Sequence, residues 1–124
     1  MTESTILICD DEPALRELMR VALEGDHRFA EAEDAAEALR LTRELRPDVL
    51  LLDVMLPGGS GLELLETIRA DPDLSSTRIV VVSAWASAQD RQRAEEAGAD
   101  DFLSKPFAPE QLVETVDRLL EGGA

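Results

Sequence analysis

Membrane spans, signal peptides and disulfides are what this 124-residue sequence lacks. It contains no run of about 18 or more apolar residues, which a membrane-spanning helix needs, and no basic segment leading into an apolar one, as a signal peptide has. Its one cysteine, Cys9, cannot form an internal disulfide, which agrees with a reducing compartment. We therefore expect a cytoplasmic protein that has no membrane partner.

Basic residues are also scarce. The sequence has 12 Lys and Arg residues against 27 Asp and Glu residues, and a net charge of -15 repels nucleic-acid backbones and anionic lipid. We attribute most of the acidic excess to solubility and expect no direct binding of nucleic acid by this domain. Apolar residues make up 44% and charged residues 31% of the chain, as in globular proteins, and the length suits one domain covering residues 1–124.

Three uniformly apolar segments predict strands that are buried on both faces of a sheet. They span residues 5–9, 49–52 and 79–82, and each is followed directly by a polar residue. Residues 28–32 and 101–104 are weaker strand candidates because they carry charge or are short. We predict that these two polar strands form the edges of the sheet.

The first predicted helix follows the first strand. Pro13 suits its first turn, and the apolar pattern ends near Gly25. The stripe predicted to face the core consists of Leu15, Leu18, Met19, Ala22 and Leu23. His27 lies beyond this helix in a predicted loop and is expected to be exposed.

The remaining helices also alternate with strands. Two capping pairs, Asp34 with Glu37 and Ser60 with Glu63, predict the starts of the second and third helices. Residues 87–97 form the fourth, whose only apolar residues are alanines, so we expect it to be weakly anchored. The predicted inner faces of the third and fifth helices consist of Gly61, Leu64, Leu65 and Ile68, and of Leu112, Val113, Val116, Leu119 and Leu120.

This alternation predicts an α/β fold, a single doubly wound (βα)5 parallel sheet. With the polar strands at the edges and right-handed crossovers, the favoured strand order is 2-1-3-4-5, the flavodoxin-like arrangement. Its switch point lies between strands 1 and 3, at the strand ends where open α/β sheets place their ligands. Asp10 and Asp11, which follow strand 1, are thereby predicted to lie beside Asp53 at the end of strand 3.

These acidic residues indicate a cation site. Three crowded carboxylates stay ionised only if a cation or a basic side chain compensates their repulsion, and a small set of oxygen ligands suits Mg2+. Lys105 follows the fifth strand and is predicted to reach the same rim. Ser83 follows the fourth strand, and because Ser87 is the better-placed helix cap, the Ser83 hydroxyl is left to bind an anion. The alternative is that the acidic residues merely solvate loops.

Together these motifs resemble the receiver domain of two-component response regulators over essentially the whole chain. The matching segments are Asp10-Asp11, Asp53 with the following Val-Met-Leu-Pro57 and Gly58 to Gly61, Ser83-Ala84, Phe102, and Lys105-Pro106-Phe107. The joint spacing of the segments makes the resemblance specific.

The resemblance implies the role of each acidic residue. Asp53 is expected to accept a phosphoryl group from a phosphohistidine on a sensor histidine kinase or a histidine phosphotransfer protein. Mg2+ is expected to be held by Asp11 and Asp53, by Asp10 through water, and by the backbone carbonyl of Met55. Lys105 is then expected to bond the phosphoryl group across a cis Lys105–Pro106 peptide.

Ser83 and Phe102 are the switch pair that the resemblance implies, changing the surface around the fourth helix and fifth strand for output. Ser83 keeps the hydroxyl of the commoner threonine, whereas Phe102 has no phenolic group, which argues against switching through a tyrosine hydroxyl. The output is then an attached domain, a separate protein partner, or a homodimer linked to phosphorylation. The chain is accordingly either a stand-alone receiver or part of a longer regulator.

Two other functions fit the sequence less well. Phosphatases resembling the haloacid dehalogenases use Mg2+ and an aspartyl phosphate, but carry a second Asp where this chain has Met55. A flavin carrier needs a phosphate-binding loop after strand 1 and flanking aromatic residues, whereas this chain has acidic residues there and no Tyr. We predict a signalling module rather than an enzyme, promoting only its own phosphorylation and dephosphorylation. Met55 and Trp85 are expected to slow loss of the phosphoryl group.

Overall fold

The structure is a computed structural model that describes residues 4–25, 27–55 and 61–122. Strands and helices alternate along the chain, and a short 3-10 helix, Pro72–Leu74, precedes the fourth strand. The strands are β1 (Ser4–Cys9), β2 (His27–Ala32), β3 (Val49–Asp53), β4 (Arg78–Ser83) and β5 (Asp101–Ser104). The helices are α1 (Pro13–Ala22), α2 (Ala35–Leu45), α3 (Gly61–Arg69), α4 (Ala88–Ala97) and α5 (Pro109–Gly122).

The five strands form one parallel sheet in the order β2-β1-β3-β4-β5, which confirms the predicted order and the two polar edge strands. In the register of the central strands, Cys9 lies opposite Leu52 and Asp53 lies opposite Val82. The residues that follow β1 and end β3 and β4 therefore meet at one edge of the sheet, because parallel strands end on the same side.

Alternate side chains of the central strands enter two separate cores. Leu50 and Leu52 pack with Leu65 of α3 on one face, whereas Leu51 packs with Leu112 of α5 on the other. All five side chains are at most 1% exposed. Each fully buried Leu contributes roughly 1.5 to 3 kcal/mol, so these two cores fix the direction of the central strands and of the residues at their ends. No helix in the described part of the chain is long and apolar enough to cross a membrane.

Helix α1 is rotated relative to its predicted stripe. Leu18 is 45% exposed, although the sequence analysis placed it in the core, and Arg16 is only 7% exposed. The inward face is formed by Arg16, Met19 and Leu23, which follow the i, i+3, i+7 spacing of one helix face. The prediction for Leu18 is wrong because α1 turns Arg16 toward its acceptors, and residues two apart lie on nearly opposite faces of a helix, so Leu18 faces solvent.

The predicted helix caps are present where the structure describes them. The Asp34 carboxylate accepts from the Glu37 N–H at 2.8 Å, but the Glu37 carboxylate accepts from the Glu33 N–H rather than from that of Asp34. The Ser87 cap of α4 is a full capping box with Asp90. The predicted cap at Ser60 lies outside the described residues.

The connection between α3 and β4 contains the 3-10 helix and buries Leu74 and Thr77. One local prediction needs correction. His27 begins β2 and is half-buried rather than exposed in a loop, with its ring edge-on to that of Phe29 at a centroid distance of 6.2 Å. Pairing with β1 draws His27 into the sheet.

Gly61 allows α3 to begin close to the segment that follows Asp53. Its N–H donates to the Val54 carbonyl at 3.1 Å, and a Cβ atom at this position would lie 2.3 Å from the Val54 Cα. Only glycine permits an approach of that kind without displacing the backbone. The close contact thus helps to set the position of the chain immediately after β3.

Candidate functional site

Asp10 and Asp53 lie at the carboxyl ends of the neighbouring strands β1 and β3, as the strand order predicts. Asp53 is the last residue of β3 and 5% exposed, and Asp10 follows β1 and is fully buried. The Asp10 N–H donates to the Ala32 carbonyl of β2 at 3.1 Å, which holds the residue against the neighbouring strand. Two buried carboxylates at one sheet edge repel each other unless a positive group compensates them.

Lys105 supplies that positive group. Its Nζ donates to Oδ2 of Asp10 at 2.9 Å and to Oδ2 of Asp53 at 3.1 Å. The Lys105 N–H donates to the Ser83 carbonyl at 2.9 Å, so the end of β4 positions the residue. The peptide between Lys105 and Pro106 is cis, as the family resemblance implied. The residue predicted to reach this rim therefore bridges the two acidic strand ends.

The Lys105 ammonium is charged at neutral pH. Burial lowers the pKa of this group, but the hydrogen bond with Asp10 and the negative charge of Asp53 outweigh burial, and the pKa of Lys105 is raised above its ordinary value of 10.5. The ammonium is therefore available over the whole physiological pH range to neutralise a carboxylate or another anion beside Asp53.

The second oxygen of each buried carboxylate is held by the backbone. Oδ1 of Asp10 accepts from the Glu12 N–H at 2.9 Å, and Oδ1 of Asp53 accepts from the Met55 N–H at 2.9 Å. Each carboxylate thus has one oxygen on a main-chain donor and the other on Lys105. Both side chains are oriented before any ligand arrives, which reduces the ordering that a ligand must impose.

Asp11 and Glu12 complete an acidic cluster at the mouth of the site. One carboxylate oxygen from each of Asp10, Asp11 and Glu12 lies within 4.8 Å of the others. Asp53 is not one of these three residues; it is connected to Asp10 through the Lys105 ammonium, which donates to both carboxylates. Hard oxygen donors at a partly exposed edge are the ligands that Mg2+ takes together with water, so these residues fit that ion. Glu12 was not among the predicted ligands.

Ser83 ends β4 and is fully buried. Its Oγ accepts from the Trp85 N–H at 3.0 Å, so the hydroxyl oxygen already orders the loop after β4, while the hydroxyl proton can still donate to an anion. The prediction that Ser87 rather than Ser83 caps α4 is confirmed. A displacement of Ser83 would pull directly on the backbone at Trp85.

Phe102 lies on β5, opposite Val81 of β4, and is half-buried. The guanidinium of Arg91 on α4 lies 4.8 Å from the centroid of the Phe102 ring, within the range of a cation–π contact. The ring also lines a pocket of about 200 Å3 together with Met55 and Trp85. Met55 is 46% and Trp85 62% exposed, and the described residues that line this pocket do not include Asp53, so the role expected of both side chains in phosphoryl lifetime stays a prediction.

Arg16 is a neighbour of the site that the sequence analysis missed. Its Nη1 donates to the Asp10 carbonyl at 2.6 Å and its Nε donates to Glu31 of β2 at 2.8 Å. One signal in the sequence was available: Arg16 lies three residues before Met19 and seven before Leu23, on the same helix face. An arginine at such a position indicates a buried ion pair.

Cys9 is a core residue, as predicted, although it directly precedes Asp10. Its side chain is 1% exposed, and burial, with added effects from the charges of Glu37 and Asp10, raises the pKa of the thiol far above its usual range. A thiol that stays protonated is neither a nucleophile nor a metal ligand. Cys9 therefore takes no part in the chemistry of the site.

The family model described as a response regulator receiver domain matches residues 6–117. The chain belongs to this family. The receiver domain is the signalling module of two-component systems, and the observed sheet order agrees with that assignment.

Curated relatives support the same assignment. The receiver is 42% identical over 112 residues to the DNA-binding response regulator MtrA of Mycolicibacterium smegmatis, covering 90% of this chain and 48% of the relative. It is 38% identical over 121 residues to the phosphate regulon transcriptional regulatory protein PhoB of Pseudomonas aeruginosa, covering 97% of this chain and 53% of the relative. The chain thus spans about half the length of the curated relatives that it matches.

Solved structures show the same fold. A putative response regulator from Chloroflexus aurantiacus is 33% identical with a TM-score of 0.90, covering 97% of this chain and 99% of the other. A CheY-like receiver domain protein from Methanospirillum hungatei is 28% identical with a TM-score of 0.91, covering 98% of this chain and 97% of the other. Both are similar to this receiver over nearly its whole length.

Proposed function

We propose that this receiver accepts a phosphoryl group on Asp53 from a phosphohistidine of a sensor histidine kinase or histidine phosphotransfer protein, in a reaction that depends on Mg2+. The observation that carries the proposal is the position of the Lys105 ammonium, 3.1 Å from Asp53 and 2.9 Å from Asp10. A carboxylate is a weak nucleophile toward phosphorus unless positive charge compensates the phosphoryl oxygens. Asp53, Lys105 and the acidic cluster supply the groups that this reaction needs.

Asp53 acts as the nucleophile. One of its carboxylate oxygens forms a bond to phosphorus while the bond between phosphorus and the donor histidine breaks, and the electron pair of that bond returns to the imidazole nitrogen. The Met55 N–H holds the Asp53 carboxylate in one orientation, which favours an in-line approach. Lys105, whose ammonium lies beside the same carboxylate, donates a hydrogen bond to an oxygen of the incoming phosphoryl group.

We propose that Mg2+ would be held by Asp11, Asp53 and the backbone carbonyl of Met55, and by Asp10 through water. When bound, the ion would supply positive charge that offsets the repulsion between these carboxylates and the phosphoryl oxygens. Asp11 is exposed and Asp10 buried, so the chain offers one ligand that reaches toward solvent and one that is rigidly held. The Asp10 and Asp11 carboxylates, each with an oxygen within 4.8 Å of the other, support the proposal.

Ser83 and Phe102 are the residues that we propose for the switch. The Ser83 hydroxyl donates to a phosphoryl oxygen on Asp53, and because Ser83 also accepts from the Trp85 N–H, the loop before α4 moves with it. Movement of that loop opens space for Phe102 in the pocket that it borders. The output is a changed surface around α4 and β5, read by an output domain, a protein partner or a second copy.

The proposed donor has a surface to dock on beside the site. Leu15 and Leu18 of α1 and Phe107 line a pocket of about 330 Å3 that also includes Lys105. Val21, one turn further along α1, is 54% exposed. An apolar patch at the rim of a charged site fits a helix that carries the phosphohistidine, since helix-in-groove contacts use such patches.

The proposed setting of this reaction is the cytoplasm, without contact between this domain and nucleic acid or membrane. The net charge of -15 supports the exclusion of nucleic acid, because phosphate backbones are repelled. The receiver is proposed to act on no substrate other than its own phosphoryl group. The phosphatase alternative is not favoured, since Met55 provides no general acid two residues beyond Asp53.

Labelling with acetyl phosphate and MgCl2 tests the proposal. The wild-type protein is expected to gain one phosphoryl group, measured by intact mass, and the Asp53→Asn variant none. Asp48→Asn is the matched control, because Asp48 immediately precedes β3, at the end remote from Asp53, and its carboxylate accepts from the Thr5 N–H. Stoichiometric labelling of Asp53→Asn would overturn the assignment of the phosphoacceptor.

A further inference from the structure

Arg16 is a buried cation on α1 that touches the backbone of the acidic site rather than its carboxylates. It is 7% exposed, which is unusual for arginine unless its donors are satisfied. Its Nη1 donates to the Asp10 carbonyl at 2.6 Å, its Nε to Oε1 of Glu31 at 2.8 Å, and its Nη2 to Oε1 of Glu33 at 3.5 Å. One side chain thus joins α1, the turn after β1 and the end of β2.

The bond to the Asp10 carbonyl completes the set of contacts around that residue. The Asp10 N–H donates to the Ala32 carbonyl, Oδ1 accepts from the Glu12 N–H, and Oδ2 accepts from Lys105. The Asp10 carbonyl belongs to the same planar peptide as the Asp11 nitrogen. A hydrogen bond that fixes this carbonyl therefore also fixes the orientation of the peptide bond that leads to Asp11. Arg16 is the contact that orients this peptide.

The charge of Arg16 is compensated locally. Glu31 accepts from Arg16 through Oε1 and from Arg20 through Oε2, each at 2.8 Å, and Glu33 adds a weaker contact with Arg16. Because the charge of Arg16 is paired with these glutamates, it repels a cation bound at Asp10 and Asp11 only weakly. The main effect of Arg16 on these two residues is to fix their backbone orientation.

We infer that Arg16 is a positioning residue for the divalent cation, holding the peptide between Asp10 and Asp11 so that both carboxylates are preorganised for Mg2+. This inference rests on the proposed function, since it concerns the same metal site. Outer contacts of this kind typically change metal affinity by about 10-fold to 100-fold when they are removed.

Charge and position predict opposite effects when Arg16 is replaced. If Arg16 acted on the cation only through its charge, Arg16→Met would strengthen Mg2+ binding, because a repelling group is lost. Arg16→Lys would then leave binding unchanged. If Arg16 acts by position, both variants weaken binding, since lysine keeps the charge but cannot donate in the planar, forked geometry that reaches Glu31 and the Asp10 carbonyl together.

Isothermal titration calorimetry with MgCl2, on the wild-type and variant proteins, tests the inference. We expect Mg2+ to bind roughly 10-fold more weakly to Arg16→Lys and Arg16→Met than to the wild type. Arg20→Met is the matched control, because Arg20 shares Glu31 with Arg16 and has no contact with Asp10 among the described residues. Its affinity should stay within about twofold of the wild type.

Labelling by acetyl phosphate at increasing MgCl2 gives a second readout. A positioning role raises the MgCl2 concentration for half-maximal labelling of Arg16→Lys and leaves the rate at saturating MgCl2 near that of the wild type. A general loss of structure would lower the saturated rate as well. Thermal melts without metal, followed by circular dichroism, identify a variant that fails to fold. If Arg16→Met fails to fold, Arg16→Lys, which is the smaller change, decides between the two roles.

The outcomes separate this inference from the proposed function. Absence of Mg2+ binding by the wild-type protein would overturn the proposed metal site itself. Wild-type binding together with unchanged or tighter binding by folded Arg16→Lys would overturn the role of Arg16 alone. If Arg20→Met weakens Mg2+ binding as much as Arg16→Met does, the effect comes from Glu31. That result would also overturn the role of Arg16.

Discussion

The ammonium of Lys105 donates to Oδ2 of Asp53 at 3.1 Å, across 52 residues of sequence and from a strand end two places away in the sheet. Lys105 is the only lysine in the sequence, and the sequence has no tyrosine. Few other groups therefore titrate at alkaline pH, and the ionisation of this one side chain can be followed through its effect on stability.

The raised pKa of Lys105 predicts a loss of stability at high pH. A cation whose pKa is higher in the folded than in the unfolded state stabilises the fold fully below the unfolded value, here 10.5, and loses this contribution as pH rises through the folded value. We expect the metal-free wild type to lose stability relative to Lys105→Arg above about pH 10.5, and the difference to be constant between about pH 8 and 10.

Urea denaturation at each pH measures that difference. Arginine stays protonated throughout, so the variant corrects for the titration of all other groups. Parallel stability profiles up to about pH 12 would show that the two hydrogen bonds of Lys105 do not stabilise its charged form.

Mg2+ should raise the thermal midpoint of the wild-type protein, because a ligand that binds only the folded state stabilises it by mass action. The gain is about 2.7 kcal/mol when free Mg2+ is 100 times the dissociation constant. Asp11→Ala should lose most of this shift and, because Asp11 is exposed, should fold normally. Without metal the variant should be at least as stable as the wild type, since repulsion within the acidic cluster falls.

Glu12→Ala is the control for that experiment. Glu12 belongs to the same acidic cluster and is exposed, but it is not among the proposed ligands. Its midpoint should respond to Mg2+ nearly as the wild type does. An Asp11→Ala protein that binds Mg2+ as tightly as the wild type would remove Asp11 from the ligand set.

Helix α4 should be less protected from hydrogen exchange than α5. Among the residues of α4 only Ala94 is buried, whereas α5 buries Leu112 and Val116. Alanine burial contributes far less than the roughly 1.5 to 3 kcal/mol of a buried Leu or Val, so α4 opens at a lower free-energy cost. Addition of beryllofluoride with MgCl2 should change the exchange of α4 and leave that of α5 nearly constant.

Hydrogen exchange followed by mass spectrometry, with peptides covering both helices, provides the measurement. Asp53→Asn with beryllofluoride is the control for effects of the reagent that do not pass through the site. Equal protection of α4 and α5, unchanged by beryllofluoride in the wild type, would contradict the assignment of α4 as the output element.

The phosphorylated state should be long-lived, because we expect the side chains of Met55, two residues after Asp53, and Trp85, two residues after Ser83, to shield the approach to Asp53. Hydrolysis requires a water in line with the bond between Asp53 and phosphorus, and neither of these large side chains orients a water through an acid or amide group. Met55→Asn and Trp85→Ala should therefore lose the phosphoryl group faster than the wild type in excess MgCl2.

First-order decay of phosphorylated protein, followed by intact mass, measures this lifetime. Met55→Leu and Trp85→Phe keep an apolar side chain at each place and should decay at nearly the wild-type rate. If all four variants decay within about twofold of the wild type, a barrier change of about 0.4 kcal/mol, the two side chains have no role in lifetime.

Local sequence determined the elements and their order. The apolar runs that became β1, β3 and β4 are uniform over at least four residues, and such runs form central strands whichever helices cover them. Asp10 and Asp53 follow or end two of these runs, so their meeting at one edge followed from the strand order alone. The Ser87 cap and the Gly98 stop of α4 are likewise local signals, since they act within one helix turn.

Contacts between distant segments were decided only by the tertiary structure. Lys105 reaches Asp10 across 95 residues, and the sequence alone does not say which carboxylate oxygens accept its hydrogen bonds. On α1, the apolar pattern selected Leu18 for the core, but acceptors from Asp10 and Glu31 drew Arg16 inward and left Leu18 at the surface. A periodic pattern indicates which residues share a helix face. The hydrogen-bond partners that this face meets come from other segments of the chain, and their hydrogen bonds decide whether a charged side chain can be buried there.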